Sequence, residues 1–99
     1  MTDKVVIITG GSRGIGRATA LAAAGRGFRV VVGYANNQAA ANEVVAQIER
    51  SNGKAMAVKC DVGFEGDILT LFEAADAFGT LGALVNNAGI VGTSLRSTR

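Results

Sequence analysis

The sequence predicts an α/β protein built on a doubly wound parallel sheet. Short apolar segments alternate along the chain with segments whose apolar residues recur at the period of a helix, and the loops between them are short. The first apolar segment, residues 5–9, carries no alternating polar residue, which suits a strand buried on both faces. The alternation of strand segments with helix segments predicts parallel strands joined by right-handed crossovers.

The first half of the chain predicts two strands and the helix between them. Residues 5–9 form the first strand, and a helix from Gly14 to about Arg26 ends before Gly27. Residues 29–34, rich in valine, form the second strand. We expect the first helix to lie close to the sheet through an inward row of small residues and one isoleucine, namely Ile15, Ala18, Thr19 and Ala22.

The second half predicts two further helices and two further strands. Asn36 and Asn37 offer N-caps for a helix that ends at Asn52-Gly53 and buries Ala41, Val44, Val45 and Ile48. Residues 54–60 and residues 83–85 form the third and fourth strands. Between them, a helix over residues 65–78 buries Ile68, Leu71, Phe72 and Ala75.

These elements predict a partial doubly wound sheet of four strands in the order 3-2-1-4, with three helices. The first two helices lie on one face and the third on the other, so the strand order reverses between strands one and four. Ligands of open α/β sheets bind at such a point, beyond the carboxyl ends of the strands. Residues 10–16 and residues 86–89 both reach this crevice. We expect one domain over residues 1–91 and a flexible tail over residues 92–99.

Composition excludes several classes of function. The 99 residues carry a net charge of +2 with scattered arginines, so no basic stripe for nucleic acid is present. No apolar run reaches the length of a membrane span or resembles a secretion signal, and we expect a cytoplasmic protein. The chain has no histidine and a single cysteine, Cys60, so we expect neither a disulfide nor a metal site. We expect Cys60 to be a small apolar strand residue.

Four roles can be compared for the glycine loop over residues 10–16. A strand that turns through glycines into a helix presents backbone N–H groups to phosphate. A triphosphate loop would require lysine and Ser/Thr where Arg17 and Ala18 stand, and a serine nucleophile at Ser12 would require a histidine that the chain lacks. A purely structural turn and a dinucleotide site remain, although Thr19 occupies the place of the third glycine in the usual dinucleotide fingerprint.

Three motifs together resemble those of the short-chain dehydrogenase/reductase family. The first is Thr9-Gly10-x-x-x-Gly14-x-Gly16, the second is Asp61-Val62 after the third strand, and the third is Asn86-Asn87-Ala88-Gly89 after the fourth. The resemblance extends to about Val91 and implies a Rossmann-like fold that binds NAD(P). It corresponds to the amino-terminal, cofactor-binding portion of such an enzyme.

The resemblance implies a set of cofactor-binding residues. In the glycine loop, backbone groups would contact the pyrophosphate and the adjacent ribose, and Gly16 would allow close helix packing. Asp61 would accept the adenine amino group, although a helix N-cap or a solvated loop acid is an alternative role for it. The Val62 amide would face the ring, and Asn87, Ala88 and Gly89 would border the cofactor. The residues of the glycine loop are Gly10, Gly11, Ser12, Arg13, Gly14, Ile15 and Gly16.

The segment after the second strand favours NADP(H) over NAD(H). An NAD site places a carboxylate there, which accepts the ribose hydroxyls and repels a 2′-phosphate. This chain has Tyr34-Ala35-Asn36-Asn37 instead, and we include Asn36 among the cofactor-binding residues. Arg13 resembles the basic residue that accompanies NADP in the family and could bond to the 2′-phosphate. A solvated turn residue is the alternative role for Arg13.

No catalytic residue is predicted. The family uses a tyrosine with a lysine four residues later, whereas the only tyrosine, Tyr34, has Gln38 at that distance. The family's catalytic serine and later asparagine would fall beyond Arg99. We therefore expect either a cofactor-binding fragment of an NADP(H)-dependent oxidoreductase or a catalytically silent nucleotide-binding or structural module. The fourth strand forms an open edge, which predicts a homo-oligomer or other association through that edge.

Overall fold

The structure is a computed structural model that describes residues 3–10, 14–60 and 65–86. In chain order the elements are β1 Lys4–Thr9, α1 Gly14–Gly25, β2 Arg29–Tyr34, α2 Gln38–Arg50, β3 Ala55–Lys59, α3 Glu65–Phe78 and β4 Thr80–Asn86. Within these segments, no helix has the length and apolar character that crossing a membrane would require. The predicted alternation of strands and helices is confirmed.

The four strands form one parallel sheet in the order β3-β2-β1-β4, as predicted. At the centre of the sheet, Ile7 of β1 is in register with Val31 of β2 and with Leu84 of β4. Ile7 and Val31 are fully buried. The continuous apolar character of the two central strands therefore reflects a sheet that is covered on both faces.

The two faces of the sheet carry separate cores. On one face, α1 and α2 cover Val6, Ile8, Val30 and Val32. On the other face, α3 covers Val5, Ile7 and Val31 through Leu71 and Ala75. The predicted rows of α2 and α3 are confirmed at Ala41, Val44, Ile48, Leu71 and Ala75, which are all buried. The side chain of Ile68 lies outside the described residues.

The predicted inward row of α1 is wrong. The buried residues of this helix are Gly16 and Ala20, whereas Ile15 is 77% exposed and Ala22 is also exposed. The helix lies beside α2, where the guanidinium of Arg17 donates a hydrogen bond to the Gln47 side-chain oxygen. Relative to the predicted orientation, α1 is rotated about its own axis by one residue position, which is about 100°. The contact with α2 favours this rotation. Alanines surround the helix on several sides, so periodicity could not identify the buried side.

Strand β4 is longer than the predicted residues 83–85. The backbone N–H of Thr80 donates to the carbonyl oxygen of Asp3 at 2.9 Å, and pairing with β1 continues from there to Asn86. The register shifts between Val5 and Val6, so that Gly82 is the extra residue on β4. Hydrogen bonds with β1 therefore impose an extended conformation on a segment whose local sequence has little strand preference.

A matched pair of glycine substitutions tests the junction between α3 and β4. A Cβ at Gly79 would overlap the carbonyl oxygen of Asp3, whereas a Cβ at Gly25 would meet nothing within 4 Å. We expect Gly79→Ala to lower the free energy of unfolding by about 1–3 kcal/mol. We expect Gly25→Ala to raise it by up to about 1 kcal/mol, because alanine loses less entropy in a helix. Urea denaturation followed by circular dichroism measures both, and equal effects would contradict this packing.

Candidate functional site

The carboxyl ends of β1, β2 and β4 lie side by side at one end of the sheet. Thr9, the last residue of β1, is in register with Gly33 of β2 on one side and with Asn86 of β4 on the other. The backbone N–H of Gly10 donates to the carbonyl oxygen of Gly33 at 3.0 Å. The start of the glycine loop is therefore held against the end of β2, beside the point between β1 and β4 where the strand order reverses.

The hydroxyl of Thr9 connects β1 to the opposite neighbour. This side chain is only 4% exposed, and its Oγ1 donates to the carbonyl oxygen of Val85 at 3.4 Å. The bond fixes the end of β4 just before Asn86, which begins the predicted Asn86-Asn87-Ala88-Gly89 motif. Sequence reasoning did not assign this role to Thr9. A hydroxyl at the end of a buried strand requires a partner, and that requirement was the available signal.

Glycine is required at two positions of the loop by backbone conformation. Gly10 has φ = 67° and Gly14 has φ = 62°, both in the left-handed region that other residues adopt at a cost. A Cβ at Gly14 would meet nothing within 4 Å, so space does not explain this glycine. The chain must turn sharply here to enter α1 from the end of β1. The turn brings the amino terminus of α1 to the crevice.

The described start of α1 is chemically suited to a phosphate group. The first turn of this helix contains no acidic residue, so the positive end of the helix dipole is not neutralised by a side chain. Gly16 is buried, while Ile15 is exposed. The first backbone N–H groups of a helix lack partners within it and can bind an anion. The pyrophosphate of a dinucleotide fits these residues.

Asn36 and Asn37, which follow β2, have different roles. The side-chain oxygen of Asn37 accepts a hydrogen bond from the backbone N–H of Ala40 at 2.9 Å, so Asn37 is the N-cap of α2. The side chain of Asn36 is exposed at the same edge of the sheet as the glycine loop. Tyr34 is half-buried against the core beneath α1 and α2. The sequence has no carboxylate between β2 and Glu43.

The end of β3 is also held at this edge. The backbone N–H of Cys60 donates to the carbonyl oxygen of Tyr34 at 2.7 Å. Cys60 is only 3% exposed and packs in the core beneath α3, as expected for a small apolar residue. It lies one residue beyond β3, not within it. The end of β3 therefore lies next to the end of β2.

Several predicted site residues lie outside the described residues, and their assignments stay predictions. They belong to the glycine loop, to the segment after β3 and to the segment after β4: Gly11, Ser12, Arg13, Asp61, Val62, Asn87, Ala88 and Gly89. Within the described part of the chain, no group of three or more histidine, cysteine, aspartate or glutamate residues could hold a metal ion.

Comparison with known proteins determines the family. The sequence profile of the family described as short chain dehydrogenase matches residues 4–98. The chain belongs to the short-chain dehydrogenase family. The site described above is therefore part of a short-chain dehydrogenase fold. It comprises the point where the strand order reverses, the glycine turn and the end of β2.

Curated relatives support this assignment over most of the chain. The sequence is 45% identical over 96% of its length to the 3-oxoacyl-[acyl-carrier-protein] reductase of Synechocystis, covering 39% of that protein. It is 47% identical over 90% of its length to the uncharacterized oxidoreductase YgfF of Escherichia coli, covering 36%. It is 44% identical over 92% of its length to the tetrahydroxynaphthalene reductase of Pyricularia oryzae, covering 32%.

A solved structure confirms the fold. A dehydrogenase/reductase from Sinorhizobium meliloti 1021 superposes on 91% of this chain with a TM-score of 0.85 and 38% sequence identity. The chain covers 36% of that structure. This short-chain dehydrogenase sequence thus spans well under half the length of the relatives that it matches.

A substitution at Gly14 tests the left-handed turn that opens α1. We expect Gly14→Ala to lower the free energy of unfolding by about 1–2 kcal/mol, because φ is positive there although the surrounding space is open. We expect Gly14→Asn to cost less, since asparagine tolerates the left-handed region. Urea denaturation ranks the variants. Equal stability of Gly14→Ala and the unsubstituted chain would show that the turn does not need glycine.

Proposed function

We propose that this chain binds NADP(H) as the cofactor-binding portion of an oxidoreductase. The observation that carries the proposal is the glycine turn, with positive φ at Gly10 and Gly14, which opens α1 at the carboxyl end of the central strand. The bound dinucleotide would supply or accept a hydride at a carbonyl or alcohol carbon. We propose residues 1–91 as the binding domain of a cytoplasmic protein, followed by a tail over residues 92–99.

In this proposal the protein binds the dinucleotide mainly through backbone groups. The N–H groups of the loop from Gly10 to Ile15 bind the pyrophosphate, supported by the positive end of α1. Asp61 and the Val62 amide bind the adenine, and Cys60 supports them because its N–H is bonded to the end of β2. The remainder of the cofactor is bordered by Asn87, Ala88 and Gly89. These residues follow the end of β4, which the hydrogen bond from Thr9 to Val85 fixes.

Preference for NADP(H) rests on the electrostatics at the end of β2. Asn37 is occupied in capping α2, so the exposed Asn36 is the side chain available to the ribose of the adenosine. Asn36 carries no charge and does not repel a 2′-phosphate, whereas a carboxylate at this point would do so. In the proposal, Arg13 donates a charge-assisted hydrogen bond to that phosphate. The alternative role of Arg13 is a solvated turn residue.

The substitution Asn36→Asp tests this preference. We expect the unsubstituted chain to bind NADPH about 10-fold or more tightly than NADH, the ratio that one charge-assisted hydrogen bond supplies. We expect Asn36→Asp to reverse the order, because the new carboxylate repels the 2′-phosphate and accepts the ribose hydroxyls. Isothermal titration calorimetry with both nucleotides measures the two dissociation constants.

Asn42→Asp is the matched control for that substitution. Asn42 is exposed on α2, so its replacement makes the same chemical change away from the glycine loop. We expect the NADPH/NADH ratio of this variant to equal that of the unsubstituted chain. Equal affinities for both nucleotides in the unsubstituted chain, or tighter binding of NADH, would overturn the NADP(H) preference.

We also propose that this chain alone is catalytically inactive. Its only tyrosine, Tyr34, packs against the core beneath α1 and α2 and has Gln38, not lysine, four residues later. Two relatives carry the name reductase, for a 3-oxoacyl-[acyl-carrier-protein] and for tetrahydroxynaphthalene. Carbonyl reduction is therefore the reaction proposed for a longer protein that includes this portion. A catalytically silent nucleotide-binding or structural module is the second candidate.

A turnover assay tests the absence of catalytic groups. We expect the purified chain to bind NADPH but to cause no oxidation of it above the buffer rate in the presence of ketones and aldehydes. Absorbance at the NADPH band follows the reaction, and intact Escherichia coli YgfF serves as a reference protein under the same conditions. NADPH oxidation that increases in proportion to the concentration of the chain would contradict the proposed inactivity.

A further inference from the structure

Helix α2 ends in a turn that holds an asparagine in the left-handed conformation. The backbone N–H of Asn52 donates to the carbonyl oxygen of Glu49 at 3.0 Å, and the N–H of Gly53 donates to that of Ile48 at 2.9 Å. This pair of bonds forms the Schellman motif that ends many helices. Asn52 has φ = 70°, and it is the only residue other than glycine with positive φ in the described part of the chain. An asparagine thus occupies the position where glycine is usual.

Close packing requires a glycine after Asn52. A Cβ at Gly53 would lie 2.7 Å from Cγ2 of Ile48 and 3.1 Å from the carbonyl oxygen of the same residue, and the first distance is shorter than real Cβ contacts. Ile48 is only 1% exposed and is packed in the core beneath α1 and α2, so its side chain has little room to move. The turn therefore places the dipeptide Asn52-Gly53 at the end of α2.

The Asn-Gly dipeptide permits a reaction between the asparagine side chain and the following backbone nitrogen. The nitrogen attacks the side-chain carbonyl carbon and loses its proton, a C–N bond forms, and the side-chain amide group leaves as ammonia. Water then hydrolyses the cyclic imide at either carbonyl group, which gives aspartate or isoaspartate without any oxidation or reduction. A side chain on the following residue obstructs the attack, whereas glycine offers no obstruction and has the most flexible backbone.

Asn52 is the asparagine of this chain best suited to that reaction. Six asparagines are present, and Asn52 is the only one followed by glycine. It is exposed, so water has access to the site. We propose that Asn52 is a modification site, at which the chain forms aspartate and isoaspartate at a rate that the turn after α2 controls. The reaction needs only this turn and water, and it is independent of the cofactor.

The hydrogen bonds of the folded turn suppress the reaction. The attacking nitrogen belongs to Gly53, and its N–H is bonded to the carbonyl oxygen of Ile48. The imide nitrogen carries no hydrogen, so this bond cannot exist once the ring has formed. The reaction therefore requires molecules in which the end of α2 has opened. Its rate follows the fraction of molecules that are open there, because such local openings occur without global unfolding.

Isoaspartate at residue 52 would weaken the junction between α2 and β3. The main chain then passes through the former side chain and is one methylene longer, so the bonds from residues 52 and 53 to Glu49 and Ile48 lose their geometry. The next residue, Lys54, accepts a hydrogen bond from the backbone N–H of Val30 at 3.0 Å and leads into β3. We expect the isoaspartate form, separated by ion exchange through its added negative charge, to unfold about 4 °C or more below the unmodified chain.

The experiment compares the purified chain in buffer and in urea at the same pH and temperature, without nucleotide. Mass spectrometry of peptides detects aspartate and isoaspartate at each asparagine. In urea, we expect these products at Asn52 before any other asparagine. In buffer, we expect formation at Asn52 to be slower by about 10-fold or more, as an opening equilibrium of the folded turn requires. Hydrogen exchange of the Gly53 amide measures the same opening, and its protection should match that ratio within about threefold.

Two glycine substitutions provide the controls. Asn52→Gly removes the reacting side chain and keeps the left-handed turn, so it should fold and form no product at residue 52. Asn42→Gly, at an exposed site on α2, makes the same substitution elsewhere and should leave the rate at Asn52 in urea unchanged. Equal rates at Asn52 in buffer and in urea, or no product there in urea, would overturn the proposal. Because no nucleotide is present, either result is distinguishable from a failure of NADP(H) binding.

Discussion

The pairing of β1 with a parallel neighbour on each side is the constraint on which the rest of the structure depends. Val5, Ile7 and Ile8 of this strand are fully buried between two layers of helices. Burial of each such side chain contributes about 1.5–3 kcal/mol. Because β2 lies on one side and β4 on the other, the chain must reverse its direction across the sheet at β1. The crevice beyond β1 follows from that reversal.

The same arrangement gives α1 two separate surfaces. Its amino terminus follows the glycine turn at the crevice, where the first N–H groups are available to phosphate. Its Thr19 and Ala22 side borders an apolar groove between α1 and β4. The helix is kept in this orientation by the burial of Gly16 and Ala20 and by the hydrogen bond from Arg17 to α2. The amino terminus of α1 and its Thr19 and Ala22 side are therefore separate surfaces of one helix.

Much of the fold could be predicted because the governing signals are local. The apolar β1 segment, the Asn37 cap and the Ala41, Val44, Ile48 row each predicted what the structure contains. The orientation of α1 and the full length of β4 could not be predicted, because both depend on contacts with distant elements. For the site, sequence predicted the glycine turn, but the bond from Thr9 to Val85 depends on the pairing of strands far apart in the chain.

Amide chemical shifts of the labelled chain test the central claim, that the dinucleotide binds at the crevice beyond β1. Addition of NADPH should shift the backbone resonances of Gly10 and Cys60, which directly follow β1 and β3, and of Ile15 at the start of α1. The resonances of Gly25 and Gly53, near the opposite ends of the strands, should change little. Shifts confined to Gly25 and Gly53, or no shifts at saturating NADPH, would contradict the assignment of this crevice as the nucleotide site.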